Sequence, residues 1–256
     1  MLNGSEDLGF PDKGDVAEEP YVPYHLRPET YIAPVLFAII FIVGVVGNGS
    51  LILIFCRHKA MRSVPNTFIF NLAIGDLLVL LVSVPFIGTI FTFESWPFGT
   101  FVCKFTEFAK DTSVGVSVFT LTALSADRYL AIVDPVRKLV SGPKSMRMLL
   151  SLALIWILAI GLGIPGALFS HVMSAGIDTS NGSTYIQVCY PFPSDLGPNY
   201  PKLIVLTKAL AHYIIPLLII GVLYSIMGHH LLRSANALPG QATLIHSGHS
   251  STVSPP

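Results

Sequence analysis

Ser125-Ala126-Asp127-Arg128-Tyr129 closes a long, largely apolar stretch that begins near Cys103. An aspartate and an arginine stand side by side there, where a membrane-crossing helix would meet its cytoplasmic surface. A charge at the centre of a span costs about 2.5–3.5 kcal/mol on insertion scales, and less toward the ends. Adjacent helical residues point in different directions, so the two charges need not pair with each other. An arginine that is held locally and can swing to another partner suits a two-state switch.

The composition around this run is that of a membrane protein. Of 256 residues, 52% are hydrophobic and only 12% charged, where soluble domains carry roughly 25%; the mean hydropathy is +0.66. The formal net charge is zero, but its distribution is uneven. Glu6, Asp7, Asp12, Asp15, Glu18, Glu19 and Glu29 face only Lys13 and Arg27 within residues 1–30. With its prolines and no apolar periodicity, this stretch reads as a disordered acidic tail. It lacks the basic start and short apolar core of a cleaved signal peptide, so the first span is expected to direct insertion.

A helix crossing a bilayer needs about 20 mostly apolar residues. Five segments qualify: 31–56, 67–92, 101–133, 147–170 and 203–232, followed by a loop or tail over 233–256. The third carries polar residues along one face, which blurs its ends. Arg57, Lys59 and Arg62 follow the first span, and Arg137, Lys138, Lys144 and Arg147 separate the third from the fourth. Segment 171–202 holds only Lys202. The basic loops are therefore expected in the cytoplasm and the N-terminus outside. Asn3 and Asn181 head glycosylation sequons on the expected outer side, while the sequon at Asn48 falls inside the first span. Cys103 and Cys189 lie on the oxidising side and form the natural disulfide pair; Cys56 is left on the reducing side.

Polar residues within the spans must face protein or water. A carboxylate in mid-span, Asp76, needs a cation, a donor or a proton, with Asn48 and Ser117 as expected neighbours. Ser113, Ser117 and Thr120 recur at helical spacing, and their expected partners are their own backbone carbonyls four residues back. Pro85, Pro165 and Pro216 are expected to kink their helices. Trp156 is expected to pack between helices. Glu107, Lys110 and Asp111 lie three to four residues apart near the outer end of the third span, beyond Lys104. They either pair among themselves or line a pocket that meets a polar ligand. His229 and His230 read as a solvated membrane edge.

In order along the chain, Gly47-Asn48, Asn71-Leu72-Ala73-Ile74-Gly75-Asp76, Trp96-Pro97-Phe98-Gly99, Cys103, Asp127-Arg128-Tyr129, Trp156, and Pro216 with Tyr224 resemble the signatures of a rhodopsin-like (class A) G-protein-coupled receptor. The runs Met61–Asn66, Thr112–Tyr129 and Leu232–Gly240 are similar to bombesin-type peptide receptors. Glu94–Gly99, Lys110-Asp111-Thr112 and Ala131–Lys138 are most like their invertebrate branch, the CCHamide neuropeptide receptors. The resemblance covers residues 31–240.

It implies an all-α membrane protein, a helical bundle with five of a receptor's seven spans, in the plasma membrane. It implies an extracellular amidated neuropeptide as ligand and a heterotrimeric G protein, mainly of the Gq type, as partner. Asp76 and Ser117 would form a sodium pocket with Asn48 bonded nearby, sodium being the one possible cofactor. Arg128 would be the restrained arginine of the switch, with Asp127 and Tyr129 beside it and Tyr224 holding it once released. Cys103 and Cys189 would tie the second outer loop to the third span. Lys110 aligns with a ligand-contact position, Glu107 lies one turn above, and Trp96, Trp156 and Pro216 are structural.

The sixth and seventh spans of the family are missing here, which points to an incomplete form. A non-signalling truncated form acting on full-length receptor, or a receptor for another peptide, are the alternatives, and receptor oligomers are possible partners. A transporter or membrane enzyme is disfavoured by the lack of paired broken helices or a metal-ligand cluster. No nucleic-acid partner is expected.

Overall fold

The computed structural model describes residues 22–23, 26–136, 144–179, 182–193 and 196–236. The acidic tail before Val22, the sequon asparagines Asn3 and Asn181, and the stretch after Asn236 lie outside the described residues. The elements are α1 (Glu29–Arg57), α2 (Val64–Val82), α3 (Val84–Thr89), α4 (Gly99–Ile132), α5 (Lys144–Phe169), β1 (His171–Thr179), β2 (Gly182–Tyr190), α6 (Tyr200–Ala209) and α7 (Ile215–Asn236). Among the described residues, four helical stretches are long and apolar enough to cross a membrane: Glu29–Arg57, Val64–Thr89, Ser145–Phe169 and Tyr200–Asn236. The fifth long helix, α4, has 34 residues. It falls outside that group because its polar and charged residues, Lys104, Glu107, Lys110, Asp111, Asp127 and Arg128 among them, make it less apolar than the others.

Local chemistry sets the helix ends and breaks. Ser63 caps α2 by accepting from the Asn66 amide, which satisfies one of the orphan donors of a first turn. Pro85 has no N–H and its ring conflicts with the carbonyl four residues back, so the second span is interrupted between Val82 and Val84. Ser83 fills the interruption, fully buried, and donates to the Thr106 carbonyl of α4 at 3.0 Å. Pro216 acts likewise on the fifth span, where Leu210–Ile214 form a π-helical turn between α6 and α7. That turn uses the N–H of Ile215 to reach the Leu210 carbonyl, the wider spacing of a π-bulge.

α4 is the hub, packed against α2, α5 and the fifth span. Phe68, Val116, Ile155 and Ala159 form its buried apolar centre, flanked by Phe119, Leu152 and Trp156. Lipid offers no hydrophobic drive for helices to meet, so close contact rests on small residues and polar bonds. Gly115 shows the limit: a Cβ there would sit 2.9 Å from the Ala159 Cβ and 3.0 Å from its Cα. α1 buries no residue completely. It rests on α2 through the stacked rings of Phe55 and Phe70, 4.5 Å apart, and through Gly44 against Leu80.

The all-α expectation holds for the spans, and the connection before α6 departs from it. β1 and β2 form an antiparallel hairpin, with His171 opposite Tyr190 and Thr179 opposite Gly182. Val172, Ile177, Tyr185, Ile186 and Val188 supply the β-branched and aromatic content that favours strand.

Candidate functional site

The hairpin is fastened to the first turns of α4. Cys103 and Cys189 form a disulfide across a sequence separation of 86, with Cα atoms 5.6 Å apart. Lys104 Nζ donates to the Leu168 carbonyl at 2.9 Å. On the other side, Trp96 donates its backbone N–H to Gln187 O at 2.8 Å, and its indole Nε1 to Gly99 O at 3.0 Å. Gly99, at φ 72°, makes the left-handed turn that starts α4 there, a conformation glycine adopts without a steric penalty.

Below the disulfide, four charges form two ion pairs. Lys110 Nζ lies 2.6 Å from Glu107 on its own helix, and Lys208 Nζ lies 2.6 Å from Asp111 Oδ2 across to α6. The Asp111 side chain is only 9% exposed, so its lysine is a structural necessity. Of the three residues read as one turn, Glu107 and Lys110 therefore pair together and Asp111 pairs elsewhere. Lys208 escaped the sequence reading. Its signal was present: a lysine among the apolar residues Leu203–Leu210 needs an anion.

In mid-bundle, Ser117 Oγ donates to Asp76 Oδ1 at 2.9 Å. Asn48 does not join them, because its amide donates to Gly44 O of its own helix at 3.0 Å. The expectation for the α4 hydroxyls is corrected as well. Ser113 donates across to Gly75 O at 2.7 Å, and Thr120 Oγ1 accepts from Asn71 Nδ2 at 2.7 Å. Cross-helix partners win because α2 runs close against this face, while Thr122 and Ser125, turned elsewhere, do bond four residues back. Trp156 does more than pack: its Nε1 donates to Asn71 Oδ1 at 2.9 Å, so Asn71 joins α2, α4 and α5. A carboxylate beside a hydroxyl is an oxygen donor set that fits a hard cation such as sodium.

His212, carried by the π-helical turn, is 4% exposed, its ring 6.2 Å from that of Phe119. Its Nε2 and the Thr112 Oγ1 are buried with no hydrogen-bond partner among the described residues.

At the far end of α4, Asp127 and Tyr129 are half-buried and Arg128 is exposed. A cavity of about 160 Å³ opens there, lined by Phe68, Ala126, Asp127 and Arg147 among others. Tyr224, 55% exposed on α7, makes no hydrogen bond to Arg128.

The molecule thus carries a disulfide-fastened hairpin over a charged, polar face at one end, and an exposed arginine beside a half-buried aspartate at the other. Packed helices that share buried polar bonds connect the two. That arrangement can recognise a polar ligand and relay a helix movement. A profile of the 7 transmembrane receptors of the rhodopsin family matches residues 47–252, so the chain belongs to that family of G-protein-coupled receptors. Its members are multi-pass membrane receptors and not enzymes. The chain is 51% identical over 228 residues to the neuropeptide CCHamide-1 receptor of Drosophila melanogaster. The match covers 88% of this chain and 45% of the relative, so the chain spans somewhat less than half the relative's length.

Proposed function

We propose that the chain supplies five spans of a peptide-activated receptor of the CCHamide type. In this reading the hairpin end faces outward, takes an amidated neuropeptide, and transmits binding to a heterotrimeric G protein, Gq-type, at the Asp127-Arg128-Tyr129 end. The observation that carries it is the 51% identity with a CCHamide-1 receptor. The family match, over residues 47–252, includes Asp76, Cys103, Lys110, Asp127, Arg128 and Lys208.

Glu107, Lys110 and the Asp111–Lys208 pair are the proposed peptide-facing groups. They already neutralise one another, so an entering peptide exchanges one set of charge-assisted hydrogen bonds for another. Asp76 and Ser117 are the proposed sodium ligands; the ion would supply positive charge to a carboxylate otherwise held by one hydroxyl. The Asn71 junction stiffens the helices between the two ends, so that a shift at Lys208 can reach Arg128 by rigid-body motion.

The test is calcium release in cells that carry the receptor and are challenged with CCHamide-1. A response abolished by a Gq inhibitor is expected. Silence to this peptide alongside a response to another peptide rejects the ligand, and a response that ignores the inhibitor rejects the coupling.

A further inference from the structure

Backbone bonding at the hairpin leaves one edge open. Gln187 sends both of its main-chain groups away from β1: its N–H donates to Ser95 Oγ at 2.9 Å, and its C=O accepts from the Trp96 N–H at 2.8 Å. Gln187 stands opposite Ser174, so this is a non-hydrogen-bonded pair of the ladder. In such a pair the groups of both residues point outward. The alternation then repeats every second residue. Val172 opposite Cys189 and Gly176 opposite Tyr185 turn their N–H and C=O to the same free edge of β1. None of the three bonds elsewhere with those groups among the described residues.

Proteins blunt such edges with lysine, proline or a bulge. From His171 to Ile177, β1 has no proline and no lysine, and the register runs without a bulge. At its centre stand Ser174, Ala175 and Gly176, small residues that let a second backbone come close. The edge begins at the α4 terminus, where Cys189 is tied to Cys103, one turn from the Glu107–Lys110 pair.

We infer that Val172, Ser174 and Gly176 form a docking edge to which an extended segment of the peptide ligand adds as a third strand. The inference rests on the peptide-receptor reading above and specifies how the peptide is held. A second copy of the chain is the poorer occupant. Five residues of edge cover about 17 Å, too little to bury the roughly 1,200 Å² that a stable protein interface needs. A short peptide needs only such a length, because its other residues reach the charged face below.

Ser174→Pro decides the matter from the receptor side. It deletes an outward N–H, a position where proline is tolerated in a strand, and leaves the bonds to β2 in place. With surface display verified through an N-terminal tag, labelled CCHamide-1 should bind Ser174→Pro about tenfold more weakly and Ser174→Ala as well as wild type. From the ligand side, singly N-methylated CCHamide-1 peptides on the wild-type chain need no variant to fold. Affinity should fall about tenfold at alternate residues of one short stretch. Equal binding by a displayed Ser174→Pro, or an N-methyl series with no two-residue period, overturns the docking edge while the receptor reading stands. Loss of pairing between two tagged copies, with peptide binding intact, assigns the edge to a second copy and also overturns it. A wild-type chain that binds no CCHamide-1 removes the ligand reading and the inference with it.

Discussion

Lys208 Nζ sits 2.6 Å from Asp111 Oδ2, and this contact joins the fifth span to α4 beneath the hairpin. The pair stands between 9% and 22% exposed side chains, so each charge relies on the other more than on water.

Lys208→Ala should therefore be strongly destabilising, by about 3–5 kcal/mol, because it strands a buried carboxylate. The double variant Asp111→Asn with Lys208→Met should recover most of that loss. Thermal unfolding in detergent checks both. A single variant as stable as wild type would show that the pair is not mutually dependent.

Trp156→Phe should cost about 1 kcal/mol through its lost hydrogen bond to Asn71. Asn71→Leu should cost more, since it strands both the Trp156 indole and Thr120. The double variant should fall short of the sum by about 0.5–3 kcal/mol, as expected of partners in one network. A double-mutant cycle on melting data measures the difference, and strict additivity would contradict the junction.

Gly115→Ala should destabilise by about 1–3 kcal/mol, because the new methyl would meet the Ala159 backbone at 3.0 Å. Ala159→Gly in the same chain should restore part of the loss. The same change at Gly47, which has open space around it, should be nearly neutral in the folded bundle. Parallel melting curves separate the two positions.

Opening the Cys103–Cys189 bond should lower stability by about 2–5 kcal/mol, toward the upper end because it closes a long loop. Cys103→Ala with Cys189→Ala should melt like the reduced wild type. Cys56, exposed and free, should be labelled by a thiol reagent before reduction, and the other two only afterwards.

Sodium should raise the melting temperature of the wild-type chain relative to potassium at equal ionic strength, with Asp76→Asn insensitive to the exchange. Equal sensitivity in both would place any sodium effect away from Asp76.

Much of this was legible in the residues. Apolar length marked the spans, and the ordered run from Asn48 to Tyr224 carried the family. Cys103 and Cys189 could be matched because few cysteines share one side of the membrane. Asp76 with Ser117 was legible too, since a mid-span carboxylate has few donors within reach.

Other partners were hidden because spacing along one helix states who can meet, not who does. Asn48 and Thr120 illustrate both outcomes: an asparagine that bonds its own helix, and a threonine that bonds its neighbour. Which occurs depends on how closely and at what rotation the next helix passes.

The sequence by itself determined the helices and their breaks at Pro85 and Pro216, and left Asp111 either to pair with a neighbouring cation or to face a pocket. Only the tertiary structure decided that the cation is Lys208 and not Lys110. The π-helical turn ahead of Pro216 sets the rotation of the fifth span, and that rotation is a property of packed helices. The open edge of β1 was decided in the same way, by where the hydrogen bonds of Gln187 went.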